Sequence, residues 1–260
     1  MSATVETPGP VPREALDYLR AKGYQVGFDY RDVWQEEHAI AWTVARAMRL
    51  DILEAIRAAV DEAIQEGLPF REFQGGLQPL LERLGWWGRS TMQDPLTGEE
   101  RDVQLGSPRR LRTIYDVNLR TAQAAGQWER IQRTRLTHPY LIYQLGPSRE
   151  HRPEHRGWSG MVLRSDDPWW QSHYPPNGWG CKCHVRQASR REAQRLTAGG
   201  AATAAPDLGT VEYVNRRTGE VANVPRGIDP GWDYNPGAVS RLARAQQLLE
   251  QKEAAAKDNR

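Results

Sequence analysis

Both cysteines of this 260-residue chain stand one residue apart, in Cys181-Lys182-Cys183. Three of its six histidines, His151, His155 and His173, lie between Arg149 and that pair. Thiolates and imidazoles are the ligands zinc prefers, in tetrahedral sets of four. In an extended chain the two sulfurs of Cys-x-Cys point to opposite faces, so one ion can take both only where the backbone turns locally. His155 is the first candidate for a third ligand, and His151 or His173 could complete the set. The spacing is not the Cys-x-x-Cys of a zinc knuckle. Two readings therefore stand: a zinc ion on His155, Cys181 and Cys183, or two buried thiols. A redox pair would call for Cys-x-x-Cys ahead of a helix, which the chain lacks. His38, on a helix among acids, and His138, opening a strand, read as structural.

The segment around the cysteines must position them. It carries four of the ten tryptophans, Trp158, Trp169, Trp170 and Trp179, and the run Tyr174-Pro175-Pro176-Asn177-Gly178-Trp179-Gly180. So much Pro, Gly and Trp predicts a rigid, aromatic-packed loop rather than regular helix, with a tight turn at Asn177-Gly178. The acidic pairs are poor catalytic candidates. Glu36-Glu37 and Asp61-Glu62 are neighbours on helices and face different ways, and Asp166-Asp167-Pro168 reads as a turn. The chain has no Gly-rich phosphate loop, no Gly-x-Ser-x-Gly elbow and no His-Glu-x-x-His. Spacing alone does not make it an enzyme.

The net charge of +2 conceals a lopsided distribution. Residues 1–100 hold 10 Lys/Arg against 17 Asp/Glu, and residues 101–200 hold 17 against 8. Thirty-one of the 35 basic residues are Arg, which contacts phosphate and carboxylate bidentately. Arg109, Arg110, Arg112, Arg120, Arg130, Arg133 and Arg135 decorate one predicted helix and form a candidate surface for non-specific nucleic-acid binding. The competing reading is that the acidic and basic parts neutralise each other. Two cysteines exclude a disulfide scaffold, no apolar run approaches a membrane span, and no secretory signal is visible at the N-terminus.

Residues 1–12 read as a Pro-rich arm, followed by a helix over Arg13–Lys22 that Pro12 opens. A helical region is expected from Tyr30 to Gln65, with Ala41, Ala45, Met48, Ile52, Ile56, Ala59 and Ala63 on one stripe and a joint at a capping box, Asp51 with Glu54. Phe70–Leu84 reads as a helix interrupted at Gly75-Gly76. The turn cluster Asp94–Gly98 is the expected boundary. Ser107-Pro108 starts the arginine-rich helix, and Tyr140–Leu145 reads as a strand. Met161–Leu163 and Cys183–Val185 are shorter strands. Ser189–Leu196 is a capped helix, 197–206 a linker, Val211–Val214 with Glu220–Val224 a hairpin, and Ala238–Lys257 a closing amphipathic helix. No internal repeat stands out. The fold class is α+β, with an acidic helical region over 1–98, a basic Trp-rich core over 99–200, and linker, hairpin and helix over 201–260.

The chain resembles the phage Mu F-type minor head (head morphogenesis) protein family. The resemblance rests on an arginine-rich helix followed by Ser148-Arg149-Glu150-His151-Arg152-Pro153-Glu154-His155, Asp166-Asp167-Pro168-Trp169-Trp170 and Pro175-Pro176-Asn177-Gly178-Trp179-Gly180-Cys181-Lys182-Cys183. Glu36-Glu37-His38-Ala39, Gly85-Trp86-Trp87-Gly88, Tyr115–Arg120 and Asp229–Gly237 extend it over nearly the whole chain. His151 stands where relatives often carry a small hydroxyl residue. The resemblance implies a structural component of a tailed-phage or prophage head, inside the capsid near the portal and in the host cytoplasm during assembly. It implies roles in head morphogenesis and DNA packaging or ejection, with the portal, other head proteins and packaged DNA as partners. The rival function is a zinc-dependent hydrolase using His155, Cys181 and Cys183 with a carboxylate such as Glu154.

Overall fold

The computed structural model describes residues 12–258, so the Pro-rich arm lies outside the described residues except for Pro12. Helix α1 (Arg13–Arg20) buries Ala15, Leu16, Tyr18 and Leu19. The two-residue strand β1 (Gly23–Tyr24) pairs in parallel with β2 (Ala41–Trp42), which follows the single-turn helix α2 (Glu37–Ile40). The long helix expected from Tyr30 is therefore confined to α3 (Leu50–Glu66). The reason is tertiary. Phe28, Val33, Trp34, Trp42, Val44 and Ala47 are all buried from an irregular chain. That chain takes left-handed backbone at Gln35 (φ 46°) and Arg46 (φ 64°), which no α-helix continues through. No joint forms at Asp51 either. Its carboxylate accepts from the guanidinium of Arg49 and from the neighbouring amide of Ile52, one residue inside the helix start. Gly67 ends α3 in the left-handed conformation that favours glycine.

Helix α4 (Phe70–Arg83) runs unbroken through Gly75, Gly76 and Pro79. Phe73, Leu77 and Leu81, four residues apart, bury one face, and that packing outweighs the weak propensity of the glycines. Asp94–Gly98 closes an antiparallel hairpin of β3 (Arg89–Gln93) and β4 (Glu100–Gln104). One apolar cluster spans this turn, from Ala15 through Leu105 to Ala125 and Tyr234.

Helix α5 (Pro108–Thr134) is the spine. Ser107 caps it, accepting from the amide of Arg110, and Pro108 occupies its first turn. Its first half packs into the N-terminal cluster through Leu111, Ile114, Ala122 and Ala125. Trp128 and Ile131 enter a second cluster built on the three-stranded antiparallel sheet. In that sheet β5 (Tyr140–Gln144) lies between β6 (Val162–Arg164) and β7 (His184–Ala188). The aromatic segment expected to lack helix holds two short ones, α6 (Pro153–Trp158) before β6 and α7 (Trp170–His173) after it. Pro153 starts α6 because proline fits a first helical turn.

After α8 (Arg190–Ala198) comes the expected hairpin of β8 (Thr210–Val214) and β9 (Val221–Pro225). Its turn repeats the earlier one: Asn215-Arg216-Arg217-Thr218-Gly219-Glu220 matches Asp94-Pro95-Leu96-Thr97-Gly98-Glu99 in side-chain pattern. Each first residue accepts a hydrogen bond two residues on, and each threonine hydroxyl accepts from the following glutamate amide. The two tips meet, because the buried Arg217 guanidinium pairs with both Asp94 and Asp32. Helix α9 (Pro236–Asp258) is capped by Asn235 and anchored by its first turn, where Gly237 lies against Trp128. No helix among the described residues is long and apolar enough to cross a membrane.

Candidate metal centre

Helix α6 presents His155 to the cysteine loop, and the imidazole is buried with the two thiols. Nδ1 of His155 lies 3.5 Å from Sγ of Cys183 and 3.9 Å from Sγ of Cys181. All three ligand atoms fall within 4.8 Å of one another. Nε2 lies 2.8 Å from the carbonyl of Gly227. A carbonyl only accepts, so the ring proton sits on Nε2 and the Nδ1 lone pair faces both sulfurs. A backbone carbonyl behind the imidazole is the usual support of a metal-ligating histidine.

Three close approaches converge these donors. A Cβ on Gly146, just past β5, would lie 1.8 Å from the carbonyl oxygen of Lys182. Only glycine lets the strand end touch the middle of Cys-x-Cys. A Cβ on Gly227 would lie 2.7 Å from Cβ of Glu154 and 2.8 Å from the Trp158 ring, so the carbonyl that supports His155 also needs glycine. Asp229 accepts from Arg152 at 2.6 Å and from the Trp179 amide at 2.8 Å, which ties α6, the cysteine loop and the segment after β9 together. Trp158 stacks on the His155 ring at 4.8 Å. The Tyr143 hydroxyl donates to Oδ1 of the buried Asn177 at 2.9 Å; the tight turn expected at Asn177-Gly178 forms just after it, where the Cys181 amide donates to the Gly178 carbonyl at 3.1 Å and Gly180 is left-handed (φ 70°).

The thiols are unequal. Cys183 is drawn down to about 6, first by the hydrogen bond from Cys181 and, against the opposing effect of burial, by Tyr143, the Gly146 amide and the Arg152 charge. The same bond, with burial, pushes Cys181 up to about 12. The pair shares one proton, with the thiolate at Cys183, and thiolate is the form that binds metal.

The other candidates fall elsewhere. His151 lies on the rim of an adjoining cleft and pairs with the Gly146 carbonyl at 2.8 Å. His173 stacks on Trp169 at 4.4 Å, and burial pulls it down to about 4. Glu154 packs against Gly227, and the ligand group contains no carboxylate. On α5, Arg110 is half-buried over Trp86, its guanidinium donating to the carbonyls of Ala45, Gln104 and Leu105. Arg130 and Arg133 pair with Glu14 of α1. Arg112 lies over the Phe70 ring at 3.6 Å, and Arg120 reaches the Cys181 carbonyl at 3.3 Å. Arg109 and Arg135 are exposed and form no ion pair among the described residues.

Residues 54–186 match the family model described as Phage Mu protein F like protein. The chain is 40% identical, over an alignment of 245 residues, to a protein of Escherichia phage Mu provisionally named capsid assembly protein F; the match covers 88% of this chain and 55% of that one. It is 35% identical over 224 residues to the Mu-like prophage FluMu F protein of Haemophilus influenzae, covering 80% of this chain and 53% of the relative. The chain thus spans about half the length of the curated relatives it matches. No solved structure matches it.

Proposed function

Because the chain belongs to the phage Mu protein F like family, we propose that it is a minor head protein of a tailed phage or prophage. It acts in head morphogenesis and in DNA packaging or ejection, from the capsid interior beside the portal, and is present in the host cytoplasm while heads assemble. The observation that carries this is the 40% identity to a protein whose name is a capsid assembly one. Its partners are the portal and other head proteins, with packaged DNA met through backbone phosphates rather than base edges. The architecture suits docking. Helix α9 is held on α5 by its first turn and by Arg241 and Arg244, which pair with Glu129, while Leu242 between them is 70% exposed. A helix so placed gains order by packing on something else.

Mass spectrometry of purified heads tests this, comparing the full chain with one lacking residues 245–260. The full chain is found in heads, and the truncated one folds in the cell but is lost from them. Absence of the full chain from mature and immature heads alike overturns the reading.

We further propose that zinc is held by His155, Cys181 and Cys183. Nδ1 and two sulfurs make a borderline-soft donor set that suits zinc. Its role is structural, clamping α6, the cysteine loop and the Gly227 turn. A hydrolase would need a carboxylate base beside the ion, and the donor group holds none among the described residues.

A further inference from the structure

A second cavity, of about 190 Å³, lies away from the thiols, between α5, the β1–β2 region and the 230–234 segment. Six tryptophan and tyrosine rings line it: Tyr30, Trp34, Trp42, Trp179, Trp232 and Tyr234. The cations Lys22 and Arg110 also line it, and no Asp or Glu does. Space of this size holds far more than one water, which needs only about 10–15 Å³.

Lys22 is the unusual member. It is 92% buried by its 8% exposure, and its ammonium donates to one acceptor, the His38 carbonyl, at 2.5 Å. The Tyr18 ring lies 4.8 Å from Nζ. The charged group facing it is Arg57, which donates to the Lys22 carbonyl and adds a second positive charge. His38, beside it, is itself held neutral by burial. A buried cation is ordinarily paired, and an ammonium has three donors. Arg110 cannot serve as a substitute hand, since its guanidinium is engaged by three carbonyls. At the mouth, Tyr30 and Trp179 meet edge to face at 5.7 Å while 45% and 44% exposed. Two large aromatics left in water at the rim of an aromatic hole are the marks of a binding site.

We propose that this cavity binds an aromatic carboxylate, its ring between the tryptophans and its carboxylate on Lys22. Charge complementarity fixes the class: the walls offer π faces and a desolvated ammonium, and they repel cations. The same chemistry comes as a free arylacetic acid or as the C-terminal aromatic residue of a polypeptide.

Isothermal titration calorimetry on the full chain tests the inference with phenylacetate, the neutral phenylethanol and the cationic phenethylamine. Phenylacetate binds, and the other two bind at least about 30-fold more weakly, as expected when one partner of a buried charge pair is missing. Lys22→Met lowers phenylacetate affinity by the same factor. That variant replaces an unpaired buried charge by an isosteric apolar chain, so its melting temperature stays level or rises, and lost binding cannot be ascribed to unfolding. A tripeptide ending in free Phe, set against its C-terminal amide, distinguishes the sources: binding of the free acid favours a polypeptide ligand, and its failure where phenylacetate succeeds favours a small acid. No phenylacetate binding at millimolar concentration, or equal affinity for phenylethanol, overturns the proposal.

Discussion

The Gly227 carbonyl accepts from Nε2 of His155 and so turns the Nδ1 lone pair to the sulfurs, of which Cys183 is the one drawn down towards thiolate by the hydrogen bond from Cys181. Cys183→Ser is expected to remove the thiolate, bringing metal content from close to one zinc per chain to well below it. It should also lower the melting temperature in zinc-replete buffer, because ion binding is coupled to folding; elemental analysis and calorimetry read both. Wild-type protein that is fully folded and metal-free would leave two buried thiols. The cluster of His155, Cys181 and Cys183 was legible in the sequence because Cys-x-Cys is rare and His155 shares its segment. His151 and His173 stayed open there as a fourth member beside His155, since only tertiary packing sends one to a rim and the other against Trp169. Lys22 gave no such signal, being one lysine among ordinary surface-type residues. Burial draws it down to about 7 from 10.5, with the Arg57 charge assisting. Between those values the unfolded chain holds a proton that the folded one lacks. The contribution of Lys22 to stability therefore rises with pH from about 7 to 10.5, and the penalty is full below 7. Lys22→Met should be more stable than wild type at pH 7, by an amount of the order of a few kcal/mol. The gap should narrow steadily towards pH 10. A gap that does not change with pH would show that Lys22 is not buried as a cation.

Helices α1 and α5 cross at Gly126, where an added Cβ would stand 2.8 Å from the Ala15 amide nitrogen and 3.2 Å from the Glu14 carbonyl carbon. Both contacts are backbone, so neither side can swing away. Gly126→Ala is expected to destabilise by about 1–3 kcal/mol through overpacking, despite the better helix propensity of alanine. Gly75 of α4 has nothing within 4 Å of a Cβ, and there the same change should stabilise by about 0.4–1 kcal/mol. Paired denaturant titrations check the contrast, and equal effects at the two sites would contradict the crossing geometry. Elements with local punctuation were legible: Ser107-Pro108 opens α5, Ser189 caps α8 through the Glu192 amide, and β8–β9 bracket their turn. The segment 30–49 was not. Its small apolar residues recur at helical steps, yet Trp34 is drawn onto Tyr213 and Trp42 onto the Leu53 carbonyl, and the left-handed Arg46 is invisible to periodicity. The β3–β4 hairpin was missed because its strands are mostly exposed and polar, so only the turn announced it. That turn has the same pattern as Asn215–Glu220, a match too short to stand out as a repeat.

Across the whole molecule, the acidic and basic halves of the sequence do partly neutralise each other. Glu14 of α1 holds Arg130 and Arg133 of α5, an attachment strong enough to keep its carboxyl below the ordinary value, mainly through Arg133. Asp32 and Asp94, from the acidic region, close instead on Arg217 of the 201–260 region, and Arg110 is engaged by carbonyls. Of the six α5 arginines and Arg135 at its C-cap, Arg109, Arg112, Arg120 and Arg135 remain without a carboxylate partner among the described residues. Each phosphate neutralised on duplex DNA contributes about −0.9 to the log–log dependence of affinity on salt. If DNA is met by these four, the slope should be near −3.6; seven free arginines would give roughly −6. Glu14→Ala releases two more and should steepen the slope by about 1.8 while strengthening binding at low salt. Fluorescence anisotropy with a short duplex of arbitrary sequence measures both proteins. A slope near zero for each would mean that the arginines of α5 serve the fold alone. A slope of about −5.4 in the wild type would mean that Glu14 yields its arginines to phosphate, so that α1 and α5 come apart at that end when DNA is bound.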